Sequence, residues 1–168
     1  MRHTHRIGSL TWTFCKSPVD NRVLDEHERV LGMKFPGDLR EVLQRCHGGH
    51  PVEKAVFWFE HPDPDLGRMG SGIGALVTLD PLDGGDDMLG IVQTLREYQD
   101  LPSGIVPFAT DGGGDYICLD YRKDTDHPTV VYWAHEADPG QSIAYLADSF
   151  TDFLGILEPP EPLPDDES

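Results

Sequence analysis

The chain has 168 residues, and its 30 acidic and 13 basic side chains give a formal net charge of −17 at pH 7. This length suits one domain with a sizeable core, and the charge argues against nucleic acid or anionic membranes as partners, because both need Lys and Arg to displace counterions. No apolar run is longer than five residues, the length of residues 55–59, which is too short to span a bilayer. No apolar stretch follows the basic N-terminus, so we expect a cytoplasmic protein without a signal peptide.

Two helices are predicted in the first third of the chain. Residues 20–31 and 38–46 both place apolar side chains at helical spacing, and Gly32 and Gly48 follow as natural ends. The positions expected to face the core are Val23, Leu24, Val30 and Leu31 in the first helix, and Leu39, Val42, Leu43 and Cys46 in the second.

The rest of the chain predicts six strands and two more helices. The helices are residues 87–99, with Met88, Ile91, Val92, Leu95 and Tyr98 on one side, and residues 150–157, which begin at a Ser149/Asp152 capping box. The strands are residues 55–59, 75–79, 105–109, 116–121, 129–133 and 142–146. The last four have no helix between them, so they pair as antiparallel neighbours. The pattern predicts an α+β fold, with a single, mainly antiparallel twisted sheet of about six strands packed by about four helices.

The cysteines and the C-terminus complete this outline. Cys15, Cys46 and Cys118 are odd in number and widely spaced, so we interpret them as small buried hydrophobic residues rather than a disulfide framework. Residues 158–168 contain five acids and four prolines, which predicts a disordered or extended tail after one domain at 1–157.

The most informative motif is Asp111-Gly-Gly-Gly-Asp115, which lies between two apolar strands. Two carboxylates around bare backbone suggest a cation site, but a calcium loop would need more oxygen ligands at alternate positions and an anchoring Glu. A hairpin turn, in which glycines adopt positive φ and Asp111 bonds the backbone, is a sufficient explanation. The third interpretation is that the segment forms an open loop that the side chains of a partner protein can approach.

Two other motifs give weaker indications of chemistry. Residues 70–74, Gly-Ser-Gly-Ile-Gly, lack the spacing and the preceding strand of a nucleotide loop, so we interpret them as a flexible connector. Cys46, His47 and His50 are three candidate zinc ligands, but no second ligand pair with suitable spacing accompanies them. We therefore predict no metal, no cofactor and no catalytic residues.

Four carboxylates precede the third predicted helix: Asp80, Asp83, Asp86 and Asp87. Helix capping and a negatively charged first turn explain Asp86 or Asp87 but not all four. We call residues 80–87 the acidic stretch and predict that it is a protein-contact surface.

Three separated blocks make the chain resemble the SUKH superfamily, the SMI/KNR type of cell-wall-assembly and immunity proteins. The resemblance covers about residues 20–157 and runs through Glu28, Leu31-Gly32, Phe35-Pro36, Leu39, Leu43 and His47-Gly48-Gly49, then Ile105 to Tyr116 and Leu119-Asp120, then Pro128, Val130 to Glu136, Ala144, Ser149-Phe150 and Phe153-Leu154. His47 departs from the small polar residue that usually precedes Gly-Gly.

This resemblance implies an α+β domain without catalytic activity, of the kind that binds and neutralises a polymorphic toxin, often a nuclease. We expect a monomer that binds a basic partner protein and uses Asp80, Asp83, Asp86, Asp87, Asp111 and Asp115 for contact. A regulatory or scaffolding domain with a different partner is the alternative, since fungal relatives look like cell-wall regulators. A metal-dependent enzyme using the aspartate loops is the third hypothesis.

Overall fold

The computed structural model describes residues 3–80, 86–138 and 140–160. Its elements in chain order are β1 (His5–Ile7), β2 (Leu10–Thr13), α1 (Asn21–Leu31), α2 (Gly37–Cys46), β3 (His50–Pro51), β4 (Val56–Glu60), β5 (Arg68–Gly72), β6 (Ala75–Leu76), α3 (Met88–Tyr98), β7 (Ile105–Thr110), β8 (Tyr116–Asp120), β9 (Thr129–Trp133), β10 (Ile143–Ala147) and α4 (Phe150–Ile156). The predicted α+β class and its four helices are confirmed. In the described part of the chain, no helix has the length and apolar character needed to cross a membrane.

The strands form three antiparallel sheets where the sequence indicated a single one. The largest sheet has the order β10-β9-β8-β7-β6, and β1-β2-β3 and β4-β5 form the others. The late strands pair as neighbours in chain order, as their spacing predicted. The division arises because β4 pairs with β5 along its whole length instead of joining the main sheet.

Strand β5 corrects the interpretation of residues 70–74 as a flexible connector. Residues 68–72 pair with β4, and Trp58 lies opposite Gly70. A Cβ atom on Gly70 would lie 2.9 Å from the Trp58 ring, so the glycine accommodates the indole rather than a ligand. The Arg68 guanidinium lies 5.1 Å from the centre of the same ring, a cation–π contact.

The buried face of α1 differs from the predicted stripe. Leu24 and Leu31 are buried as expected, but Val30 is 52% exposed, and His27 and Glu28 occupy the buried face instead. Glu28 is tolerated there because its carboxylate accepts hydrogen bonds from the Phe35 amide and the Arg40 guanidinium.

The other helices follow their predicted patterns more closely. Gly32 ends α1 in the left-handed conformation, and all four predicted apolar positions of α2 are buried. Ser149 caps α4 by accepting a hydrogen bond from the Asp152 amide. Tyr98 is wrong as a core residue of α3, because it is 72% exposed at the last turn of the helix.

Cys15 and Cys46 are buried, as expected, but a disulfide joins them, so the expectation that they form no disulfide is wrong. They are separated by 31 positions in the sequence, and no local pattern indicates that they are close in space. Pairing of β2 with β3 brings the segment after β2 against the C-terminal end of α2, where the two Cα atoms lie 4.3 Å apart. Cys118 on β8 is a buried free thiol, as predicted.

An aromatic cluster between the β4–β5 hairpin, the main sheet and α4 dominates the core. Phe57 and Phe59 of β4 both lie against Tyr132 of β9, and the Phe59 and Tyr132 rings stack with centres 4.5 Å apart. Phe57 also packs edge-on against Phe153 of α4. These contacts bury the ring of Tyr132 and leave its hydroxyl at the rim of the cluster, where it reaches the glycine motif.

Candidate functional site

The Asp111–Asp115 segment is the turn of the β7–β8 hairpin, as its preferred interpretation predicted. Gly112 and Gly114 have φ values of 83° and 101°, a region that disfavours other residues. Asp111 Oδ1 accepts hydrogen bonds from the Gly113 amide at 2.7 Å and the Asp115 amide at 3.0 Å. We call residues 111–115 the glycine loop.

Tyr132 connects both carboxylates of the glycine loop to the main sheet. Its hydroxyl oxygen lies 2.6 Å from Asp111 Oδ2 and 2.7 Å from Asp115 Oδ2. A phenol has one proton, so at any moment it donates to only one of the two carboxylates. The Ser71 hydroxyl of β5 also donates to Asp111 Oδ2, at 3.3 Å.

His135, just after β9, holds Asp115 from the other side. Its backbone amide and its ring Nδ1 donate to Asp115 Oδ1 at 3.0 Å and 2.6 Å. The carboxylate can only accept, so Nδ1 carries a proton. The glycine loop is therefore attached to β5, to β9 and to the segment that follows β9.

These contacts shift the ionisation of two groups. Burial acts to raise the pKa of Asp111, but the hydrogen bonds from Tyr132, Gly113, Asp115 and Ser71 outweigh it and lower the pKa overall. The pKa of the Tyr132 phenol is raised, first by burial and then by its hydrogen bonds to the two carboxylates. At neutral pH Tyr132 is accordingly a donor and Asp111 an acceptor.

Replacing Asp111 with asparagine is expected to destabilise the protein by about 1 to 2 kcal/mol at pH 7, since charged hydrogen bonds are lost. Because folding lowers the pKa of Asp111, its ionised form stabilises the fold above pH about 4, the pKa of an unfolded Asp. That contribution is lost as pH falls through the lower pKa of the folded state. Denaturant unfolding at pH 7, 4 and 3 should show the gap between wild type and D111N narrowing.

The matched control for this experiment is Asp65→Asn, at an exposed position beyond β4. It should leave stability within about 0.5 kcal/mol at each pH. A gap between wild type and D111N that stays constant down to pH 3 would contradict the proposed ionic contribution.

A groove of 560 Å³ opens beside the glycine loop. Its walls are the loop itself, the turn after β4 and the segment after β9, and its ionisable lining residues are His61, Asp63, Asp115, His135, Glu136 and Asp138. No lysine or arginine is among the described residues that line it. We call this feature the acidic groove. A concave site with one sign of charge concentrates its electrostatic potential and favours a cationic group.

The acidic stretch lies only partly within the described residues, and Asp83 is outside them. Asp87 caps α3 by accepting a hydrogen bond from the Gly90 amide at 2.9 Å, while Asp86 is exposed. Burial raises the pKa of Tyr116, and the negative charge of Asp86 raises it further.

The contact role predicted for these six aspartates remains a prediction, but the structure gives two of them another task. Asp111 and Asp115 are brought together, and both are engaged in shaping their own loop. Asp63, Glu136 and Asp138 line the same groove as this loop, and no local pattern in the sequence indicates it. The contact of the Tyr132 hydroxyl with this loop was also not predicted, although a tyrosine in a buried strand usually needs a partner for its hydroxyl.

The zinc interpretation of Cys46, His47 and His50 is not supported by the geometry. Cys46 is bonded to Cys15, and the His50 ring stacks on Phe14 with centres 5.1 Å apart. Both ring nitrogens of His47 are engaged, with Nε2 donating to the Ser17 carbonyl and Nδ1 accepting from the Leu79 amide. Within residues 3–80, 86–138 and 140–160, no group of three or more His, Cys, Asp or Glu residues could hold a metal ion.

Comparisons with known proteins agree on one family. The SMI1 / KNR4 family (SUKH-1) matches residues 18–156. A relative described as the SPbeta prophage-derived uncharacterized protein YokK of Bacillus subtilis (strain 168) is 28% identical over 149 residues, which cover 82% of this chain and 73% of the relative. No solved structure matches the chain.

Proposed function

Because the protein belongs to the SMI1 / KNR4 family (SUKH-1), we propose that it is a non-catalytic protein-binding domain that neutralises a cognate toxin by direct binding. The partner is a basic protein, and the interaction takes place in the cytoplasm. The observation that carries the proposal is the acidic groove, which has carboxylates on its walls and a rigid loop at its side.

The hydrogen bonding of the glycine loop supports a binding role over a catalytic one. Asp111 and Asp115 are held by backbone amides, by Tyr132 and by His135. Carboxylates used in this way keep a surface in one shape, and a preformed surface loses less entropy on binding. The two hydroxyls that reach Asp111, those of Ser71 and Tyr132, both serve as hydrogen-bond donors that hold its carboxylate in place.

Charge favours a nuclease among the toxin classes. The net charge of −17 attracts basic proteins from a distance. A nuclease binds its substrate in a basic cleft, so an acidic domain occupies that cleft by charge complementarity. The prophage origin of one relative is also consistent with a role in competition between genetic elements.

The direct test uses the toxin encoded beside this gene. A pull-down should recover a complex, and stoichiometric addition of this protein should abolish the activity of the toxin. Full toxin activity at a molar excess of this protein would overturn the proposal. A neighbouring gene that does not encode a toxin would favour the regulatory alternative.

The acidic groove should control the rate of association. We expect the triple variant Asp63→Asn, Glu136→Gln, Asp138→Asn to bind the partner about tenfold more slowly at low salt, with little change in folding. Stopped-flow association at several salt concentrations measures this rate.

The matched control for the groove neutralises three acids elsewhere on the surface, Glu41→Gln, Glu97→Gln and Asp126→Asn. It changes the net charge equally and should slow association by less than about twofold, since steering depends on where the charges lie. Equal slowing in both variants would show that net charge alone matters and would remove the groove from the proposal.

A further inference from the structure

We propose that Cys15 and Cys46 form a redox-dependent clasp, whose disulfide sets the position of His47 and, through it, of the backbone at Leu79 that leads into the acidic stretch. The proposal is independent of the identity of the partner. It concerns how the oxidation state of Cys15 and Cys46 changes the packing between the N-terminal strands and the rest of the domain.

The disulfide joins the N-terminal segment to the part of the chain that matches the family. Cys15 lies before residue 18, where the family match begins, and Cys46 is the last residue of α2. Two backbone contacts accompany the bond: the Cys15 amide donates to the His3 carbonyl, and the Lys16 amide donates to the His47 carbonyl. The clasp thus ties a residue before the matched region to one within it.

The site has no spare room for two separate thiols. Cys46 is fully buried and Cys15 is 4% exposed. A Cβ atom on Gly49 would lie 2.4 Å from the Cys46 sulfur and 2.7 Å from the Thr13 carbonyl oxygen. Bonded sulfurs lie about 2 Å apart, whereas non-bonded heavy atoms need roughly 3.5 to 4 Å. Reduction must therefore move the segment at Cys15, the turn at residues 46–49, or both.

His47 transmits any movement of that turn. It follows Cys46 directly and is fully buried. Its Nε2 donates to the Ser17 carbonyl at 2.8 Å, and its Nδ1 accepts from the Leu79 amide at 3.1 Å. The imidazole is the link between the clasp and Leu79, because a shift of Cys46 changes both hydrogen bonds.

The chemistry is thiol–disulfide exchange with a small-molecule disulfide of the glutathione class. On oxidation the two thiols lose two protons and two electrons, and the small disulfide accepts them and becomes two thiols. On reduction a dithiol attacks one sulfur, forms a mixed disulfide and leaves as a cyclic disulfide while both cysteines become thiols. A reducing cytoplasm keeps the pair as thiols, so the clasp closes under oxidising conditions.

The first test counts thiols and measures stability. After equilibration with oxidised glutathione, the denatured protein should show one reactive thiol, from Cys118, and after dithiothreitol it should show three. Reduction should lower the thermal midpoint by roughly 10 °C, as expected for a loop of this length. Three reactive thiols after oxidation, or an unchanged midpoint, would overturn the proposal.

Two variants separate the clasp from other effects. Cys15→Ala should have the lower midpoint whether or not dithiothreitol is present. Cys118→Ala leaves the clasp intact, so it should keep the full shift on reduction. If Cys15→Ala does not fold, the reduced wild type supplies the same comparison. A redox shift that persists in Cys15→Ala would contradict the assignment.

The second test follows the path to Leu79. Amide hydrogen exchange, resolved by residue, should be at least about tenfold faster at Leu79 in the reduced protein than in the oxidised protein. This acceleration should exceed the acceleration at the amides of β9 in the main sheet. Amides opening only with the whole fold follow its stability, so equal acceleration at Leu79 and β9 would show a global effect and overturn the transmission through His47.

Discussion

Replacing Glu28 with alanine is expected to lower the free energy of unfolding by about 3 to 5 kcal/mol, because it breaks a buried ion pair on one side only. Glu28 is 5% exposed. One carboxylate oxygen accepts from the Phe35 amide at 2.8 Å, and the other accepts from Arg40. In the alanine variant the Phe35 amide loses this acceptor. The half-buried Arg40 guanidinium keeps its ion pair with Asp25, which lies on the surface.

Two further variants make the measurement specific. Glu28→Gln keeps the size of the side chain and an oxygen for one donor, so it should cost less than alanine. Glu26→Gln, in the exposed pair with Arg29 on the same helix, should leave the free energy of unfolding close to that of the wild type, because solvent screens exposed ion pairs. The measurement is urea unfolding at pH 7. A loss below 1 kcal/mol in Glu28→Ala would show that the pair does not hold α1 to α2.

Removing the hydroxyl of Tyr132 as Tyr132→Phe is expected to cost about 2 kcal/mol, the value of a hydrogen bond to a charged group. The phenylalanine ring keeps the stack on Phe59, so the core is preserved. Asp111 and Asp115 then face each other without the shared donor, and their mutual repulsion loosens the glycine loop. We expect faster amide exchange at Gly113 and Asp115 than in the wild type.

Tyr145→Phe is the matched control, since Tyr145 is an exposed tyrosine on β10 whose hydroxyl also donates to a carboxylate, that of Asp148. It should cost less than about 0.5 kcal/mol and leave the glycine loop unchanged. Unfolding experiments with both variants, together with amide exchange, test the assignment. An equal loss of free energy of unfolding in the two variants would mean that Tyr132 does not organise the glycine loop.

The Tyr132 prediction distinguishes residues that shape the glycine loop from residues whose side chains remain exposed beside it. Asp111 and Asp115 belong to the first class, because their oxygens are engaged within the protein. Glu136 is 90% exposed and belongs to the second class. A mutational survey for partner binding should therefore begin with the residues on the walls of the acidic groove. If a substitution of Asp111 weakens binding, the cause to expect is a change in the shape of the glycine loop.

The glycine loop shows how far sequence reasoning reached. Consecutive glycines between two apolar strands predict a hairpin, and Asp111 is positioned to cap it, since both properties depend on neighbouring residues. Tyr132 lies 21 residues from Asp111. Its hydroxyl reaches the loop only because β8 and β9 pair in one particular register, and no local pattern specifies that register.

The four helices, the order of the late strands and the family resemblance were contained in the sequence, because periodicity, caps and turn residues act over a few positions. The bond between Cys15 and Cys46, the buried Glu28 on α1 and the acidic groove were decided by the tertiary structure. Each depends on elements far apart in the chain that become neighbours only after packing. A buried carboxylate or an isolated cysteine has no local signature, since its environment is supplied by residues elsewhere in the fold.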